Sequence, residues 1–207
     1  MRIKGIATGF LSLGLVGAGV VLIAVFALNL FQGPGSSGGE SGGGGFNVPE
    51  LNESQTADTG GPQDKTLEVT IPDMNRVEND QVPNAAGDDA QALKDNAAIH
   101  LKGTGYPWQE EANVYLAGHR LGFPRTDSFL AFYDLQKLES GDEIFVEDAE
   151  GTEYTYRVFK DFVVGPSDLS VTEPVDGKNV LTLQTCTLPD YSERLIVQAE
   201  LIETQPA

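Results

Sequence analysis

Cysteine is nearly absent: Cys186 is the single thiol among 207 residues, and there are only two histidines. One thiol excludes an internal disulfide and any thiolate-rich zinc or iron–sulfur centre. Cations are also scarce, with 13 Lys and Arg against 31 Asp and Glu and a formal charge of -18. A nucleic-acid partner is excluded on that ground, because a phosphate backbone rewards a basic surface. The acidic balance speaks to solubility and steering rather than to fold. The Asp and Glu of 142–150 lack any fixed oxygen-ligand spacing, so they read as a solvated face rather than a calcium site.

Charge is missing altogether from residues 5–31, which are rich in Leu, Val, Ile, Ala, Gly and Phe. A bilayer core takes about 20 such residues in a helix, and a signal-peptide apolar region is usually about 7–15. Arg2 and Lys4 precede the run and no charge follows before Glu40. Residues 1–32 therefore read as a cytoplasmic stub and an uncleaved transmembrane anchor, with the N-terminus inside and the rest of the chain outside the cell. Residues 33–65 open as GPGSSGGESGGGG and stay polar and turn-rich, which makes them a flexible linker. As a random coil this linker spans about 30 Å, enough to hold a domain a short way above a membrane.

Residues 66–207 form the folded domain, large enough to bury a core without staples. Residues 67–71 alternate strictly and stop at Pro72, which predicts a strand. Residues 88–96 predict a short helix with an acidic start, and the apolar spacing at 129, 132, 135 and 138 predicts a helical turn or two. Strands are expected over 113–118, 143–147, 153–164, 179–186 and 194–203, with 97–101 either a strand or the end of a turn. The turn Asp148-Ala-Glu-Gly151 joins two of them. Seven or eight short strands with little helix point to a closed or nearly closed β-barrel, since closure removes exposed edges.

A lone thiol on the outer side of a membrane is either a small buried hydrophobe or a nucleophile. Cys186 ends a predicted strand, and so does His119. Strand ends at a barrel rim hold groups exposed yet rigid. Arg194 begins the next strand, so in a hairpin it faces Cys186. A thiol becomes a thiolate beside a cationic neighbour, and a cation also suits a developing oxyanion.

The segments Asn113-Val-Tyr-Leu-Ala-Gly-His-Arg120, Thr182-Leu-Gln-Thr-Cys186 and Arg194-Leu-Ile-Val-Gln-Ala-Glu-Leu201 resemble, in order and spacing, the three signatures of the sortase family. Residues Phe132, Leu135, Leu138, Gly141 and Asp142 are similar to a further family pattern, and the resemblance covers roughly residues 66–203. Sortases are membrane-anchored cysteine transpeptidases of Gram-positive bacteria. The resemblance implies an eight-stranded barrel with one or two short helices. It implies Cys186 as the nucleophile on a C-terminal sorting motif, cleaved between Thr and Gly through a thioacyl enzyme. His119 is then the general acid and base, and Arg194 the group that holds substrate and oxyanion. The implied partners are surface proteins bearing a sorting signal and a peptidoglycan precursor amine, with no metal or organic cofactor.

Tyr106-Pro107 looks like the tyrosine loop of class E sortases, the actinobacterial housekeeping type, as does the Arg194 strand. That implies a Leu-Ala-x-Thr-Gly motif rather than Leu-Pro-x-Thr-Gly, with Tyr106 reading its second position. Thr185 either lines the substrate groove or packs. His100 reads as core or rim, and Trp108 as a hydrophobic plug. Two other readings stay open: a tethered barrel that binds without catalysis, and a pilin-polymerising sortase. A different cell-wall cysteine peptidase fits less well, because here histidine precedes cysteine and both end strands.

Overall fold

A computed structural model describes residues 60–207 of the chain. The predicted anchor and all of the predicted linker up to residue 59 lie outside the described residues. Among the described residues no helix is long and apolar enough to cross a membrane.

Among the described residues nine strands form one sheet. In chain order they are β1 (Leu67–Thr70), β2 (Asp80–Val82), β3 (Asn84–Ala85), β4 (Ile99–Leu101), β5 (Ala112–Ala117), β6 (Glu143–Asp148), β7 (Glu153–Val164), β8 (Asn179–Cys186) and β9 (Arg194–Gln205). Their lateral order is β2-β1-β6-β7-β9-β8-β5-β4-β3. The first and last strands of that order are separated in sequence by Pro83 alone, so the sheet must curl until its edges nearly meet. Pro83 lacks a donor, yet its carbonyl accepts from His100 N at 2.9 Å. The result is the expected nearly closed barrel, with nine strands where the sequence placed seven. The additions, β2 and β3, are too short to leave a periodic signal.

The predicted helix is α1 (Ala90–Asp95), capped by Asp89, whose carboxylate accepts from Ala92 N. The helical spacing at 129–138 yields successive turns and only a short 3-10 segment, Leu135–Lys137. Leu130 adopts a positive φ of 58°, which breaks any helix there, although Phe132, Leu135 and Leu138 still turn inward.

β5, β8 and the first half of β9 are buried on both faces. One face, with Val114, Leu116, Leu181, Leu183, Val197 and Ala199, meets Tyr156, Phe132 and Leu135 in the main core. The opposite face, with Tyr115, Ala117 and Ile196, is covered by Leu93 of α1 and Val171 of a 3-10 turn, Ser170–Thr172. Asn113 pins that cover, donating from Nδ2 to the carbonyls of Val171 (2.8 Å) and Glu173 (2.9 Å).

Candidate active site

The site lies at the C-terminal end of β8. β5 and β8 run parallel, with Tyr115 beside Thr182 and Ala117 beside Gln184. Counting two residues further along each chain places His119 beside Cys186. On the other side β8 and β9 are antiparallel, and Cys186 pairs directly with Arg194. Cys186 therefore lies one strand spacing of about 4.8 Å from the Arg194 backbone, and on its other side His119 follows directly on the last residues held to β8. His119, Cys186 and Arg194, the three residues named from the motifs, are brought together by register alone.

Local contacts hold each member. The backbone ladder continues past β5, with Gly118 N donating to Gln184 O at 3.0 Å. Thr185 Oγ1 donates to Gly118 O at 2.8 Å, tying β8 to the residue before His119. A Cβ on Gly118 would stand 2.7 Å from Ala97 O and 3.0 Å from the Phe132 ring, so only glycine fits this approach. His119 is half-buried; its carbonyl accepts from Phe132 N at 3.3 Å and its ring meets Phe123 edge-on at 5.4 Å. Arg194 is 2% exposed and donates from Nη1 to the carbonyls of Tyr191 and Glu193. These bonds fasten the loop 187–193 that follows Cys186.

Cys186 is 1% exposed, and burial raises its thiol above the ordinary range. Arg194 and Arg120 pull the other way. Burial also lowers the His119 imidazolium. At neutral pH both groups are therefore mostly uncharged, and the thiolate–imidazolium pair is a minor population. Arg120 was named only as part of a motif, without a role. It is itself buried, donates from Nη2 to Gln136 Oε1 and lies over the Tyr133 ring at 5.8 Å. Its burial, which no local pattern reveals, makes it a second cation felt by the thiol.

The other candidates fall elsewhere. Thr185 precedes Cys186 on a strand, so its side chain points to the opposite face, and its hydroxyl is spent on Gly118. It packs and positions rather than lining a groove. Tyr106 lies in the connection that enters β5, at the far end from His119. Its ring stacks on Trp108 at 4.7 Å, meets His100 edge-on at 4.7 Å and lies under Lys65 Nζ at 5.2 Å. None of those partners is His119, Cys186 or Arg194, so Tyr106 is not brought to the site. His100 is wholly buried. Its Nδ1 accepts from Asn84 Nδ2 at 3.0 Å and its Nε2 donates to Gly105 O at 2.9 Å. Burial pushes it down to about 4, as befits a core histidine.

A family model described as a sortase domain matches residues 69–202. Sortase A of Streptococcus agalactiae serotype III is 28% identical over 138 residues, covering 67% of this chain and 50% of the relative. Sortase SrtE1 of Streptomyces coelicolor is 35% identical over 118 residues, covering 50% of this chain and 30% of the relative. The chain thus spans half or less of the length of these curated relatives. The solved structure of sortase E from Streptomyces avermitilis superposes with a TM-score of 0.56 at 32% identity, over 69% of this chain and 91% of that one.

Proposed function

This chain belongs to the sortase family, and from that premise we propose that it is a membrane-anchored cysteine transpeptidase. It cleaves a sorting motif of the Leu-Ala-x-Thr-Gly or Leu-Pro-x-Thr-Gly type between Thr and Gly, and passes the acyl group to a cell-wall amine. The observation that carries this reading is the pairing of Cys186 with Arg194 on one side, with Gly118, the residue before His119, bonded to Gln184 and Thr185 on the other. Cys186 Sγ attacks the threonine carbonyl, and Arg194 supplies the cation that the resulting oxyanion needs. The C–N bond breaks as the His119 imidazolium gives its proton to the departing glycine amine, leaving a thioester on Cys186. The acceptor amine then attacks that thioester, His119 takes the amine's proton, and the C–S bond breaks.

Because the thiol is raised and the imidazole lowered, the reactive pair keeps a constant small fraction between the two pKa values. More alkaline solution makes thiolate but removes imidazolium in equal proportion. Activity falls below the lowered His119 value and again above the raised Cys186 value. In the cell, residues 5–31 cross the membrane, the N-terminus stays inside and the barrel works outside.

The burial of Cys186 favours a second reading, a tethered barrel that keeps this shape without catalysis. Incubation of the chain with both sorting peptides and a glycine amine separates the two. Exchange of the leaving group by the wild type but not by Cys186→Ala supports the transpeptidase, and the faster peptide fixes the motif. No exchange, together with a thiol inert to small alkylating agents, supports the binding module.

A further inference from the structure

Among the described residues three buried side-chain polar atoms lack a hydrogen-bond partner: Asn113 Oδ1, Arg120 Nε and Gln184 Nε2. Folded proteins pair almost all such atoms, so each exception asks for a reason. Gln184 lies two residues before the nucleophile on the same strand, and side chains two apart on a strand share a face. It is 2% exposed. Its register neighbours are Ala117 on one side and Ile196 on the other, neither of which has a polar side chain to offer it.

The orientation of its amide is determined. Tyr115 is fully buried, and burial raises its phenol, so the hydroxyl keeps its proton and needs an acceptor. Gln184 Oε1 accepts that proton. The oxygen is thereby engaged, and the amide is left presenting only its donor, Nε2. A buried donor held in one direction beside a nucleophile is arranged to meet an acceptor that arrives with a ligand. Gln184 and Cys186 lie on the same face of β8 one repeat apart, so an extended peptide laid over the thiol along the strand also passes the amide.

Resting on the transpeptidase reading above, we propose that Gln184 is a substrate-binding residue that donates from Nε2 to a main-chain carbonyl of the sorting peptide, with Tyr115 setting the direction of the amide. The carbonyl follows from the spacing. Two residues of strand span about 6.6 Å, which matches two residues of extended peptide. Counting back from the threonine carbonyl at Cys186, the partner is the carbonyl of the motif's second residue. A carbonyl is present whether that residue is alanine or proline. Gln184 therefore strengthens binding of both motifs alike and leaves their discrimination to other groups.

Two measurements on the full-length chain test this. In the first, Gln184→Met keeps the side-chain length and removes the amide. The expected result is a KM about tenfold higher for both peptides, the worth of roughly one hydrogen bond, with kcat within about twofold and little change in melting temperature. Tyr115→Phe, which frees the amide to turn, raises KM by a smaller factor. In the second, glutamine side chains carry a nitrogen-15 label in Cys186→Ala protein, where Gln184 is intact and no turnover occurs. Saturating peptide is expected to move the Gln184 amide resonances downfield. An unchanged KM in Gln184→Met, or unmoved amide resonances on a peptide that binds, overturns the role of Gln184 and leaves the transpeptidase intact. Failure of the wild-type chain to process either peptide, with no resonance moving, overturns both.

Discussion

At the scale of single residues, burial sets the two histidines apart. His100 and His119 share one imidazole chemistry, yet His100 is sealed between Asn84, Thr104 and Gly105 while His119 stands half-buried at a strand end. His100 is held neutral, down to about 4, against about 6.5 in an unfolded chain. Its folded value is depressed, so between those two pH values the unfolded state binds more protons. The contribution of His100 to stability is complete above pH 6.5 and is lost as pH falls toward 4, by at most about 3 kcal/mol. Urea unfolding followed across that window is expected to show a steep loss in the wild type and a shallower one in His100→Asn. Parallel curves for the two proteins contradict the buried-neutral assignment. Cys186 obeys the same rule in the opposite sense: burial raises its thiol, while Arg194 and Arg120 hold the rise in check.

At the scale of elements, the site is a product of strand register, and its weak point is the junction of β5 and β8. Thr185 and Gly118 make that junction, the first by a hydroxyl bond at 2.8 Å and the second by having no side chain. Thr185→Val removes the bond while keeping the shape. It is expected to cost about 1 kcal/mol of stability and to lower kcat/KM further than that loss explains, because His119 follows Gly118 directly. Thr185→Ser restores both. Equal activity in the Val variant removes Thr185 from any positioning role. β8 and β9 were legible because stretches rich in Val, Leu, Ile and Thr lie on either side of a loop holding Pro189-Asp190, and pairing them sets Cys186 against Arg194. His119 was legible through its motif. Gln184 and Arg120 were not, since both sit in patterns that allow an exposed side chain, and only the fold buries them, Gln184 against Tyr115 and Arg120 beside Gln136. The place of Tyr106 was not legible either. A loop's sequence does not say which end of the sheet it serves, and this one folds over His100 and Trp108.

At the scale of the whole molecule, closure and its seam matter most. The chain brings its sheet edges together across Pro83, and the segment read as the end of a free linker is part of the domain. Lys65 lies over both the Tyr106 and Trp108 rings, and Gly61 packs so closely on the Trp108 indole that a Cβ would stand 2.4 Å from it. Residues 61 and 65 thus pack against the loop that enters β5. One sheet then carries two tasks on its two faces. The inner face supplies the apolar core, and the other carries Cys186, Gln184, Tyr115 and Arg194. The central claim is that Cys186 is a nucleophile in a chain that transfers acyl groups. The most direct measurement is the intact mass of the full-length chain after brief incubation with a sorting peptide and no added amine. An added mass equal to the peptide up to its threonine, located on Cys186, released by a glycine amine and absent in Cys186→Ala, is the predicted result. A folded chain whose mass never changes with either peptide contradicts it.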